Sequence, residues 1–182
     1  LVVAPAPPER PQVRATERLA EADALVRAGC LDCLIAAFNI YDGLRAVPEI
    51  AAAATDRAAR TAVLAGLRER ELGIEETGYL GRAQQLVAAD DSLKDAIGPI
   101  LDIAETMPSR PTAGASAGAT QVDRLQRANA NRDAWSDLLH AQISTDPLSA
   151  YLWLAFNCAN RPATRDALVG WVAELAAWRD VP

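Results

Sequence analysis

Aromatic residues and histidine are scarce in this chain of 182 residues: Phe, Tyr and Trp make up 5% of it, and His140 is the single histidine. General acid–base chemistry most often uses histidine, so few candidates exist. His140 lies near a predicted helix end, where its ring would bond terminal carbonyls. No serine nucleophile elbow or glycine-rich phosphate loop occurs. We therefore predict a protein that is not an enzyme, with no catalytic residue and no cofactor.

The chain also lacks a concentrated basic region and a long apolar run. Its 18 Lys and Arg residues are spread along the sequence, and the net charge is −6. Nucleic-acid binding normally needs a clustered basic surface, so we expect no nucleic-acid partner. A helix that crosses a bilayer needs about 18 or more consecutive apolar residues, and no stretch approaches this length. We therefore predict no transmembrane segment.

Alternating apolar and polar runs, which indicate strands, are absent as well. Hydrophobic residues make up 51% of the chain, and many of them are alanine, the best helix former. Apolar residues recur instead at helical spacing, which predicts an all-α fold of about eight helices joined by short turns. The predicted helices lie near 14–28, 31–46, 49–72, 75–89, 92–106, from about 121, from 147, and 163–179.

Proline and glycine divide the chain into four parts. Residues 1–13 are rich in Pro and Ala and predict an extended segment. Residues 14–108 form helical hairpins, 109–120 form a flexible linker or long loop, and 121–182 form C-terminal hairpins that pack on the first half. Pro/Ala segments often separate an exported domain from a membrane anchor. The compartment stays unknown, with a periplasmic or extracellular location preferred to a cytoplasmic one.

The stretch "CLDCLIAAFNIY" after Gly29 resembles a tetratricopeptide repeat. In that family a glycine ends the first helix, small or apolar residues fill the second, and a proline closes the unit; Gly29, Phe38 and Pro48 fit these roles. Arg14 to Val47 spans 34 residues, the usual period. "ARTAVLAGLRERELGIEETGYLGRAQQLV" is similar to a second, degraded unit, and "DPLSAYLWLAFNCANR" to the entry of another. The chain also resembles uncharacterised exported bacterial proteins of this type.

The resemblance implies a short α-solenoid of stacked antiparallel hairpins that serves as a scaffold. Its inner helices would line a groove for a peptide, a partner's helix or another copy of the chain. By analogy, Tyr41 and Tyr79 line the concave side and are candidate partner-binding residues. Trp135, Trp153 and Trp171 are expected in the core, and Trp178 near the C-terminus is a further candidate for partner binding.

Cysteine supplies the one pair of reactive groups with close spacing. Cys30 and Cys33 stand at the start of a predicted helix, and Cys158 is far away in sequence. Three interpretations stay open for the pair: inert buried thiols, a structural disulfide, or a redox or metal site. Zinc needs about four ligands, which the chain does not present with suitable spacing, so we predict no metal. A thiol-redox accessory role is the alternative to the scaffold function.

Overall fold

A computed structural model describes residues 11–74, 78–107, 126, 130–143, 146–160 and 165–174. The described residues form α-helices and turns and contain no strand, which confirms the all-α class. The total number of helices stays a prediction, because several stretches lie outside this description. The helices are α1 (Pro11–Ala28), α2 (Leu31–Leu44), α3 (Ala51–Leu72), α4 (Tyr79–Ala89), α5 (Asp91–Thr106), α6 (Arg132–His140), α7 (Pro147–Asn160) and α8 (Arg165–Glu174).

The start of α1 differs from the sequence-based prediction. The segment 1–13 was expected to be extended, but the helix begins at Pro11, three residues before Arg14. Proline is tolerated in the first turn because the N–H that it lacks would have no helical partner there. Residues 1–10 lie outside the description, so the remainder of that prediction is untested.

Glycine ends two helices as the sequence indicates. Gly29 and Gly73 both have φ +66°, the left-handed conformation that stops a helix without a Cβ clash. At Gly73 the backbone N–H donates to the carbonyl of Arg70, which closes the last turn of α3. The α2–α3 connection is a run of turns from Arg45 to Ile50, so both of these helices are shorter than predicted at that end.

Proline inside α5 does not divide the helix. The local rule that proline interrupts helices predicts a kink, or a break after Ile97, and the structure shows one continuous helix through Pro99. The break is therefore the wrong alternative. Ile97, Ile100 and Leu101 are buried on the inner face of α5, and their packing holds the helix together across the proline. Asp90 caps its start by accepting a hydrogen bond from the Ser92 N–H (2.9 Å), and aspartate is among the residues preferred at this position.

The helices of the first half pack in chain order. The contacts join α1 to α2, α2 to α3, α3 to α4 and α4 to α5, and α3 also touches α5. Alanine lines the buried side of α3, where Ala58, Ala59 and Ala62 are fully buried. Gly66 lets α4 approach α3 more closely than an alanine would allow, because a Cβ at this position would lie 2.6 Å from Leu80 Cγ. The small side chains thus set the spacing of the first hairpins.

The second half meets the first through α7. This helix packs on α6, α3 and α5, and its residues Leu148 and Leu152 are fully buried. The sequence of segment 148–159 is apolar almost all round, which is typical of either a core helix or an interface, and these two residues belong to the core. Trp153 is also buried and Trp135 is half-buried, whereas the side chain of Trp171 lies outside the description. The predicted linker 109–120 lies outside it too, so the domain division is untested.

Candidate functional site

A cleft of about 530 Å³ lies between α1, α3 and the start of α7. Val26 of α1, Leu64 of α3 and Leu148 of α7 supply its apolar surface, and charged side chains line the rest. The α1–α3 wall is built around Asp23, because this carboxylate uses both oxygens to join two other helices. Tyr41 Oη donates to Asp23 Oδ1 (2.5 Å), and Arg57 Nη1 donates to Asp23 Oδ2 (3.0 Å).

Tyr41 joins the hydrophobic core to this cleft. Its side chain is 1% exposed, and its hydroxyl reaches the cleft lining through Asp23. Burial raises the pKa of the Tyr41 phenol well above its usual range, and the hydrogen bond to Asp23 and the negative charge of that carboxylate raise it further. The phenol therefore stays protonated at physiological pH and acts as a fixed hydrogen-bond donor.

Arg60 organises the α3–α7 wall. Its guanidinium lies between two carboxylates, with Nε 3.2 Å from Asp56 Oδ2 and Nη1 2.8 Å from Asp146 Oδ2. The same Asp146 caps α7, since it accepts hydrogen bonds from the backbone N–H groups of Leu148 (3.3 Å) and Ser149 (3.0 Å). An Asp–Pro pair before an apolar run predicts such a cap, with Pro147 as the first helical residue. The ion pair with Arg60 was not predicted.

Arg27 is the remaining guanidinium of the cleft. It lies on the exposed side of α1, one turn after Asp23, and makes no hydrogen bond or salt bridge with any described residue. Its charge reaches Tyr41, where it opposes the rise in the phenol's pKa. Arg27 is thus a cation on the cleft rim whose donors are available to a ligand.

A second cavity of about 170 Å³ adjoins the cleft. Val26 and Leu64 line both cavities, so the two form one groove along α3. Glu71 lies near its far end and contacts the hydroxyl of Tyr151 on α7. Because α3 rises about 1.5 Å per residue, the groove from Arg57 to Glu71 is roughly 20 Å long.

The cysteine pair lies at the start of α2. Cys30 and Cys33 form a disulfide with their Cα atoms 5.0 Å apart. Cys30 also caps α2, because its Sγ accepts a hydrogen bond from the Cys33 N–H (3.1 Å). Cys30 is exposed and Cys33 is half-buried, so the pair is not an inert buried one in this state. The side chain of Cys158 lies outside the description.

The structure buries two of the three predicted partner-binding residues, Tyr41 and Tyr79. Tyr41 is buried but touches the cleft through its hydroxyl. Tyr79 is 6% exposed and packs edge-on against Phe38, with 5.5 Å between the two ring centroids. The guanidinium carbon of Arg82 lies 4.8 Å from the centroid of the Tyr79 ring. Its ring is therefore covered by the core and by Arg82. Trp178 lies outside the description, so its predicted role is untested.

Sequence reasoning missed the charged residues of the cleft. Asp23 and Arg57 are 34 residues apart, and Arg60 and Asp146 are 86 apart. No local pattern marks these pairs. Asp146 is recognisable from the sequence only as a helix cap, and each of the other three residues looks like a solvent-facing charge on a helix. The separation of 34 residues between Asp23 and Arg57 equals one period of the predicted repeat, and it is the only sequence signal that these two residues lie side by side.

The described lining offers guanidinium groups, carboxylates, a phenol, an amide and apolar side chains. These groups form a surface that can offer hydrogen-bond donors, hydrogen-bond acceptors and apolar contacts to a ligand. Across the described residues, no cluster of His, Cys, Asp and Glu has a metal-binding arrangement. The same part of the chain has no helix with the length and apolarity that a membrane span requires. The chain matches no protein-family model, no curated protein and no solved structure.

Proposed function

We propose that this chain is a protein-interaction or scaffold module that holds a peptide or a helix of a partner in the groove above α3. The observation that carries the proposal is the open cleft between α1, α3 and α7, where apolar side chains lie between charged walls. Interfaces commonly combine a central apolar contact with a polar rim. The volume of about 530 Å³ accommodates several side chains of a bound segment.

A tetratricopeptide-like stack of hairpins is the arrangement that we propose for the helices. Its support is the packing of successive helices from α1 to α5, together with the contact of α3 with α5. Asp23 and Arg57, one repeat period apart, meet side by side on α1 and α3. In such a stack the first helices of successive hairpins line one face, and the groove lies on that face.

Self-association belongs to the same proposal. A second copy of the chain is one partner that would make it a structural subunit. Leu72 and Ile74, at the end of α3, are 44% and 45% exposed and give an apolar surface outside the groove. Sedimentation at several concentrations distinguishes a self-assembling subunit, whose mass rises with concentration, from a module that binds a different protein.

Site-specific photo-cross-linking tests where the partner binds. The photoreactive residue p-benzoylphenylalanine replaces Val26, which lines both cavities, or Asn39, which lies on the exposed side of α2 and lines neither. We expect a cross-linked protein, or a cross-linked second copy, with the Val26 probe and not with the Asn39 probe. Equal yields at both positions, or none at either, would contradict a partner in the groove.

A thiol-redox role is the second candidate, favoured by the exposed Cys30 at the start of α2. A cysteine at a helix N-terminus has a stabilised thiolate, which promotes thiol–disulfide exchange. Alkylation of the protein at successive times after transfer to glutathione buffers measures how fast the pair exchanges and whether it is reduced at equilibrium. Exchange within seconds would favour the redox role, and a pair that stays oxidised in reducing buffer would favour a structural bond.

A further inference from the structure

The charges of the cleft are balanced as a whole but not at each wall. On the α1 side, Arg57 pairs with the single carboxylate, Asp23, and Arg27 adds a second guanidinium, which leaves one positive charge in excess. On the α7 side, Asp56 and Asp146 share one guanidinium, Arg60, which leaves one negative charge in excess. The two walls therefore carry opposite net charge.

The helix register places these two charges across the groove from each other. The contact between Asp23 and Arg57 aligns α1 with α3, and Arg27 lies four residues, about 6 Å, beyond Asp23. This position is level with Thr61, next to Arg60, whose guanidinium turns to α7. Both charges line the same cleft of about 530 Å³, which as a sphere would be about 10 Å across, so their separation is of that order.

We propose that the groove selects a peptide segment with one acidic and one basic side chain on the same face. The acidic side chain would pair with Arg27, and the basic one with the carboxylates of Asp56 and Asp146. This inference rests on the proposed function, because it names the chemistry of the partner that occupies the groove.

Charge complementarity disfavours segments with two like charges, and the separation of the two walls excludes a free amino acid. A segment with two acidic side chains would place one of them against Asp56 and Asp146, and a segment with two basic side chains would place one against Arg27. A free α-amino acid carries both charges but holds them too close together to reach both walls. On a helical segment, residues four apart lie on one face with long side chains that reach outward, which matches the required separation.

Fluorescence anisotropy with designed helical peptides tests this selection. The probes are labelled peptides of about 16 residues with one Ala/Gln/Leu background, which carry Glu and Lys four residues apart in either order, or two Glu, or two Lys, or two Gln. We expect a peptide with Glu and Lys to bind roughly tenfold more tightly than those with two like charges. Its affinity should fall as the salt concentration rises.

Charge reversal at Arg27 provides the decisive variant. Arg27→Glu makes both walls negative, so the preference should move to the peptide with two Lys. Arg18→Glu is the matched control, because it makes the same charge change on an exposed position of α1 outside the cleft, and it should leave the preference unchanged. Circular dichroism of both variants checks that the helical fold is retained.

Four results would overturn the inference: equal binding of all the peptides, no binding of any, an unchanged preference in Arg27→Glu, or the same change of preference in the Arg18→Glu control. Its failure is separable from failure of the proposed function. If the Val26 probe still cross-links a protein, the groove binds a partner that it selects by other chemistry. If that probe also gives nothing, both proposals fail.

Discussion

At the scale of the residue, Tyr41 connects the core to the cleft through one oxygen atom. Its ring packs among buried side chains of the first hairpins, while its hydroxyl donates to Asp23. Asp23 in turn fixes Arg57, so a single buried phenol orients two charges of the binding surface. A buried hydroxyl with a charged acceptor contributes more than a neutral pair does.

Substitution of Tyr41 by Phe tests this contact. The ring packing is kept and one hydrogen bond is lost, so we expect a loss of about 1–2 kcal/mol in the free energy of unfolding. Urea denaturation near neutral pH measures it. A loss well below 0.5 kcal/mol would show that the hydroxyl contributes little.

The same variant should change the response to alkaline pH. Because the pKa of the Tyr41 phenol is raised in the folded protein, its stabilising contribution is complete below the ordinary tyrosine pKa of about 10. The contribution is then lost as the pH rises above that value. Between about pH 9 and pH 11, Tyr41→Phe should lose less stability than the wild-type protein. The Tyr41→Phe variant should still lose some stability at alkaline pH, because burial and Glu71 also raise the pKa of the Tyr151 phenol.

Asp146 has two roles that two substitutions separate. Asp146→Ala removes both the α7 cap and the partner of Arg60, and we expect a loss of about 1–2 kcal/mol. Asp146→Asn keeps an acceptor for the cap and removes the charge, so it should cost less. Thermal or urea unfolding of both variants gives the difference. Equal losses would mean that the ion pair with Arg60, and not the cap, accounts for the effect.

At the scale of the element, the approach of α4 to α3 depends on Gly66. Gly66→Ala would gain helix propensity, but its Cβ would lie 2.6 Å from Leu80 Cγ and 3.0 Å from the Leu80 backbone nitrogen. The backbone contact requires α4 to move. We expect a net loss of about 1–3 kcal/mol in the free energy of unfolding.

Gly43→Ala is the matched control for Gly66→Ala. Gly43 also lies in a helix, α2, and a Cβ there would meet no atom within 4 Å. We expect this variant to be stabilised by about 0.5–1 kcal/mol, the difference in helix propensity. Denaturation of the two variants side by side checks the prediction. If both were stabilised, the close packing of α3 on α4 would be in doubt.

Some element boundaries follow from local chemistry and others do not. Gly29, Gly73 and Asp146 mark helix ends that the sequence predicts, because left-handed glycine and side-chain caps act within one turn. Pro99 is an exception. The local rule predicts that it interrupts the helix, but the helix continues because the buried face of α5 outweighs one missing backbone hydrogen bond.

At the scale of the whole molecule, α3 is the central element. It contacts α2, α4, α5 and α7, whereas α1 packs chiefly on α2. Elements with more buried contacts open less often, so amide hydrogen exchange should be slowest in α3. Hydrogen exchange measured by mass spectrometry should show stronger protection for α3 than for α1. Equal protection of the two helices would argue against this hierarchy.

The sequence by itself determined the helical class, the inward face of α2 and most helix ends, because these depend on residues within a few positions of each other. Leu34, Ala37, Phe38 and Tyr41 are buried as their spacing predicts. Only the tertiary structure decided that a cleft exists and which charges line it. Asp23 meets Arg57, and Arg60 meets Asp146, through the packing of distant helices. Helical periodicity states which face is buried, but it does not state which helix covers that face.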